Sequence, residues 1–277
     1  MTNNYLDKQV DQLEPIVLDP LEAHGVLSTL LKDDQDDQVM FSDTLPVGKL
    51  GGAAWEVSTH QKQSMQAEID SRNGVTRLDH AVFAISEDLS LKIAVPSNPN
   101  QSEWVAVSAS KSKGDHAAKA WLNYLLWVAY SEESENKVHT VIFRDVIVQY
   151  GGVTKEQAHE YLQSWYQLWV VAQKQPIALP AKLVLSDFGD KELQWADNVL
   201  EDSFKNGLKR KWLNTYQIPN GISLDEDKSN SQHRDWAFIL NQLNAEELLD
   251  SSLDQFSHHL YMPIYSHVGV DRYLQQG

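Results

Sequence analysis

Cysteine is absent from this 277-residue chain, so neither a disulfide nor a thiolate metal site can form. That fits a reducing interior. Long apolar runs are missing as well. No stretch approaches the roughly 20 residues of a membrane-spanning helix, and the opening Met1-Thr-Asn-Asn-Tyr-Leu-Asp7 lacks the basic and apolar blocks of a secretory leader. The expectation is a soluble, cytoplasmic protein with no membrane partner. Positive charge is scarce: 23 Lys and Arg stand against 39 Asp and Glu, a formal net charge of −16. A free-standing duplex binder usually carries a basic face, so this balance argues against autonomous, tight DNA binding. It leaves room for local contacts inside an assembly that supplies the positive charge. Gly-rich phosphate loops and Gly-x-Ser-x-Gly elbows are also absent. No cofactor is expected.

What is present is a heavy aromatic load, nine Trp and ten Tyr, suited to a large core or an interface. Pro20, with Asp19 as N-cap, introduces a helix over Leu21–Leu31. Asp33-Asp-Gln-Asp-Asp37 is an acidic link, and Leu45-Pro-Val-Gly-Lys-Leu-Gly-Gly52 is a turn-rich lead into a helix ending near Ser71. Strands are predicted near 75–86, 89–96 and 103–109, with Ser86-Glu-Asp88 as a hairpin turn. A helix follows from Asp115, then one strand over Val138–Val148, broken by Gly151-Gly152. Thr154 and Gln157 have capping-box form and open a helix with a face of Ala158, Tyr161, Leu162, Trp165, Leu168 and Trp169, read as core. A helix over Lys191–Lys205, a polar loop over 217–232 and a final helix over 234–261 complete the reading, with Met262-Pro-Ile-Tyr265 trailing off. Three regions emerge: 1–72, a helical segment packing on the core; 73–216, the core; and 217–277, a polar loop and helical segment. Strands grouped before and between helices indicate an α/β fold, a mixed central sheet flanked by helices.

The chemistry turns on a carboxylate that is not there. Asp79 lies on an apolar strand, a second strand runs Glu103-Trp-Val-Ala-Val-Ser-Ala-Ser-Lys111, and a helix follows. Metal-dependent PD-(D/E)XK nucleases share that layout: one acid on one strand, a second acid two residues before a Lys on the next. The acids hold Mg²⁺ and the Lys orients the attacking water. Asp79 and Lys111 fit their places, but Ala109, between Ser108 and Ser110, stands where the second carboxylate belongs. A methyl cannot ligate Mg²⁺. This points to a restriction-endonuclease-like core lacking its catalytic acids, with Asp79, Ser108, Ala109, Ser110 and Lys111 as vestigial positions. Two literal (D/E)xK matches, Glu135-Asn-Lys137 and Glu226-Asp-Lys228, lie in polar runs and read as solvated loops. The adjacent His258 and His259 point about 100° apart on a helix, the wrong spacing for one ion. Lys111 and Lys113, and the cluster Lys205, Lys209, Arg210 and Lys211, are candidates for DNA contact. The cluster's plainer reading is a helix end whose cations complement the dipole.

Several segments carry a family resemblance. Leu18-Asp-Pro-Leu-Glu22 precedes a helix; Thr44-Leu-Pro-Val-Gly-Lys-Leu-Gly-Gly-Ala-Ala-Trp55 is the most specific; Trp121-Leu-Asn-Tyr-Leu125, Gln175-Pro-Ile-Ala-Leu-Pro180 and Leu260-Tyr-Met-Pro-Ile264 follow in order. Together they resemble the C-terminal domain of the exodeoxyribonuclease V gamma chain, the RecC family. The resemblance implies a piece of a longer chain with a nuclease-like fold and no working site. It implies partners too: the alpha (RecD-like) helicase, the beta (RecB-like) helicase-nuclease, and DNA in the context of the complex. The role implied is subunit docking and strand separation during double-strand break repair and recombination. The competing reading is a divergent, active Mg-dependent PD-(D/E)XK nuclease using Asp79, Lys111 and an acid recruited from elsewhere.

Overall fold

The computed structural model describes residues 49–86, 89–132, 136–179, 181–185, 195–196, 199–216 and 245–272. The helix expected at 21–31, the acidic link, the tip of the first hairpin, the Glu226-Asp-Lys228 match and the 217–232 loop lie outside them. The chain divides into two compact units, residues 1–74 with 107–111, and residues 75–106 with 112–277. In the first, helix α1 spans Lys49–Ser71 and buries Ser58, Met65 and Ile69. It ends where Asn73 and Gly74 take positive φ, and the Gly74 N–H returns to the Ile69 carbonyl at 2.9 Å.

The second unit begins with an antiparallel hairpin, β1 (Leu78–Ala84) against β2 (Ser90–Pro96), in which Asp79 faces Val95 and Phe83 faces Leu91. Alternation sends Phe83, Ile93 and Val95 to the core and leaves Leu78 and Val82 exposed. Strand β3 (Glu103–Val107) leads to helix α2 (Gly114–Tyr130) and then to β4 (Val138–Ile142), its neighbour in a four-stranded sheet. Adjacent strands joined by a helical crossover run parallel. Strand β5 (Val146–Gly151) then pairs antiparallel with β4, so the sheet is mixed, as the sequence indicated.

One predicted strand is therefore two. Val138–Val148 reverses at Phe143-Arg144-Asp145, where the Phe143 N–H donates to the Val146 carbonyl at 2.9 Å. The apolar residues on either side of that charged pair masked the turn. Gly152, at φ +73°, leads out of β5 toward helix α3 (Lys155–Ala172), whose capping box is formed: Thr154 and Gln157 bond reciprocally. Single-turn α4 is Ala181–Val184.

The predicted 191–205 helix is overturned. Strands β6 (Trp195–Ala196) and β7 (Val199–Leu200) form a short hairpin, and helix α5 runs Asp202–Tyr216. Asp202 suits the positive end of the helix that follows. The final helix continues further than expected: α6 (Ala245–Ser252), a π turn (Leu253–Ser257) and α7 (His258–Ser266) are continuous through Pro263. Pro263 frees the carbonyl of His259, an exposed residue that solvent can serve. Strand β8 (Val268–Arg272), not foreseen, pairs antiparallel with β5 and gives the order β3-β4-β5-β8.

Helix α2 packs on β4, and α3 and α7 pack on α2 and on each other, around Trp104, Trp121, Tyr124, Trp127, Tyr150 and Tyr261. Val105, Ile142 and Ile147, of opposite alternation, are buried as well. Full burial of such side chains contributes roughly 1.5–3 kcal/mol each. Trp169 departs from expectation: it continues the apolar stripe of α3 yet is 52% exposed, stacked on Tyr166 at 6.0 Å.

Candidate functional site

Asp79 is the second residue of β1 and is exposed. It belongs to the two-stranded sheet, whereas the stretch expected to carry the second acid follows β3 in the four-stranded one. Past Val107, Ala109 is 7% exposed, the Ser110 N–H donates to the Ser108 hydroxyl at 3.3 Å, and Lys111 is exposed. The next residue, Ser112, donates its N–H to the Asp145 carboxylate at 2.8 Å. That acid, in the turn between β4 and β5, escaped the sequence reading because the turn did. Lys113 is the exposed N-cap of α2, extended and without a side-chain cap. No group of three or more His, Asp or Glu among the described residues is arranged to hold a metal ion.

One (D/E)xK match resolves differently from its reading as a solvated loop. Lys137 is 2% exposed. Its Nζ donates to the carbonyls of Pro99 at 2.7 Å and Gln101 at 3.1 Å and lies 4.6 Å from the centre of the Trp127 ring. The charge is compensated by carbonyl dipoles and an aromatic face, which is what burial of an ammonium requires. Trp127 Nε1 and the Ser131 hydroxyl donate to the same Pro99 carbonyl, both at 2.9 Å. Lys137 thus pins the segment before β3 to the end of α2. This is structural work, unavailable to a polar-run reading because Pro99 and Gln101 lie 38 and 36 residues away in sequence.

His139, on β4, is also buried; its ring lies 4.2 Å from that of Trp104, and its Nδ1 is 3.1 Å from the Trp104 carbonyl. Burial pulls its pKa down to about 4, against the smaller raising effect of that hydrogen bond. The ring is therefore neutral near pH 7, with Nδ1 as the donor. Burial pushes the Tyr124 hydroxyl up to about 12. His258 and His259 meet edge to face at 5.1 Å; His258 is lowered by burial and secondarily by His259. His267 stacks on Trp121, and its Nδ1 is 3.2 Å from the Gly151 carbonyl.

The basic cluster lies within α5 from its first turns onward, so the expectation of a helix end complementing the dipole is not met. Lys205 pairs with Asp254, and Lys209 with Asp250. Arg210 is exposed. The lysines are one turn apart on α5, and the aspartates one turn apart on the final helix, so two rungs join the helices in antiparallel sense. No local pattern marks these acids as partners, since the Lys205–Asp254 pair closes over 49 residues.

The RecC C-terminal domain family matches residues 2–186 of the chain. No curated protein matches it.

Proposed function

The chain belongs to the RecC C-terminal domain family, and from that premise we propose that it is a non-catalytic domain serving subunit docking and DNA strand guidance. The family is that of a subunit of exodeoxyribonuclease V, a RecBCD-type DNA-repair complex. Ala109 carries the non-catalytic reading. In this reading a methyl flanked by two serines stands, by sequence order, where a PD-(D/E)XK nuclease would carry the carboxylate that Mg²⁺ needs. The net charge of −16 supports a docking role over autonomous DNA binding. Within this reading the partners are the RecD-like alpha and RecB-like beta subunits. DNA reaches the domain only within the assembly, and Lys111, Lys113 and the α5 cluster are its contact candidates.

The test is a paired assay on the purified chain. An end-labelled duplex in Mg²⁺ should remain intact, and Asp79→Ala should alter stability by less than about 0.5 kcal/mol, as for an exposed site away from any buried network. Gel filtration with the alpha subunit, at two salt concentrations, should give a submicromolar complex. Mg²⁺-dependent cleavage abolished by Asp79→Ala would instead establish a divergent nuclease.

A further inference from the structure

The α5 cluster is the one dense run of positive charge in the sequence, with Lys205, Lys209, Arg210 and Lys211 inside seven residues. Two of those charges are already engaged. Lys205 and Lys209 retain 13% and 22% of their side-chain exposure, and each meets an aspartate of the final helix, Asp254 and Asp250. The spacing on the two helices matches, so two anionic groups about one helical turn apart meet two cations with the same spacing.

From this we propose that α5 is a latent phosphate-backbone binding helix, held closed in cis by Asp250 and Asp254. The proposal rests on the reading that the cluster meets DNA, and adds how that contact is regulated. Each rung is open to solvent on its carboxylate side, and an ion pair hydrated in that way resists opening only weakly, by a factor of about two to five. Asp254 remains 56% exposed and Asp250 34%. A high local density of phosphates, such as a DNA strand threaded past the domain, can therefore displace both carboxylates, whereas dilute duplex cannot. The arrangement reconciles a basic helix with an acidic chain: nucleic acid is refused in free solution and accepted only where an assembly presents it. Arg210 is the exposed cation that makes first contact.

The test measures binding of a fluorescent single-stranded oligonucleotide to the full chain at several salt concentrations. Asp250→Asn and Asp254→Asn together keep the side-chain shape and remove the competing charge. The double variant should bind about tenfold more tightly than the parent, with a log–log salt slope steeper by about 1.4, one phosphate per freed lysine on a single strand. Adding Lys205→Gln and Lys209→Gln should abolish the gain. Glu132→Gln with Glu160→Gln removes the same charge from exposed sites elsewhere; an equal gain there would overturn the latch in favour of general repulsion. If the aspartate variant gains nothing while Arg210→Gln weakens parental binding, the latch fails and the DNA-contact reading stands. If neither changes binding, both fail. Circular dichroism spectra confirm that each variant is folded.

Discussion

His139 sits among Trp104, Tyr150 and the backbone of β3, buried from the water that would solvate its charged form. Its folded pKa of about 4 lies below the ordinary 6.5, so the unfolded chain takes up the proton first as pH falls. The stabilisation from keeping this ring neutral is complete above pH 6.5 and is lost as pH descends towards 4, up to about 3 kcal/mol in all. Urea unfolding at pH 7.5 and pH 5.0 should differ by about 2 kcal/mol from this group alone. The difference should shrink in His139→Gln, which retains an N–H donor. His258 and His267, also lowered chiefly by burial, add in the same direction. Residue-scale reading from sequence works where a type of residue is simply absent, as with cysteine and any thiolate chemistry. It failed where surroundings decide, since nothing local marks Lys137 as buried or Asp145 as a backbone acceptor.

Elements were legible in proportion to how locally they are specified. The capping box of α3 needs only Thr154 and Gln157, three residues apart, and it formed. The first hairpin follows from alternation and appeared in place. By contrast, the 138–148 segment split, and the helix expected over 191–205 gave way to a hairpin and a later start, because apolar periodicity alone does not separate short strands from helix turns. The start of α2 carries a constraint of the same hidden kind. A Cβ at Gly114 would come within 2.2 Å of the Ala181 carbonyl oxygen and 2.8 Å of Leu185 Cβ. The glycine is there so that single-turn α4 can lie against the helix. Gly114→Ala should cost about 2 kcal/mol, in the range of core overpacking. In a chain of this size that lowers Tm by about 4–8 °C, measurable by calorimetry.

At the scale of the whole molecule, the matched family region and the folded unit do not coincide. The match ends at residue 186, yet the core of the second unit draws on Leu208, Leu249, Leu253, Leu260, Tyr261, Ile264 and Val268. A chain cut after residue 186 should therefore fail to melt cooperatively and should scatter light at micromolar concentration, because the free edge of β5 invites intermolecular pairing. A soluble 1–186 fragment with a sharp transition would show that the later segments only decorate the fold. The pairing of β5 with β8 is also the contact that sequence could not announce: it brings His267 to Gly151 across 116 positions, and β8 itself is short and glycine-bearing. The same pairing sets a schedule for biosynthesis. At roughly 5–20 residues per second, a ribosome needs several seconds after releasing β5 before β8 emerges. Throughout that interval the nascent chain carries an unclosed sheet edge, which makes it a client for chaperones, and a candidate for mispairing, before it becomes a domain.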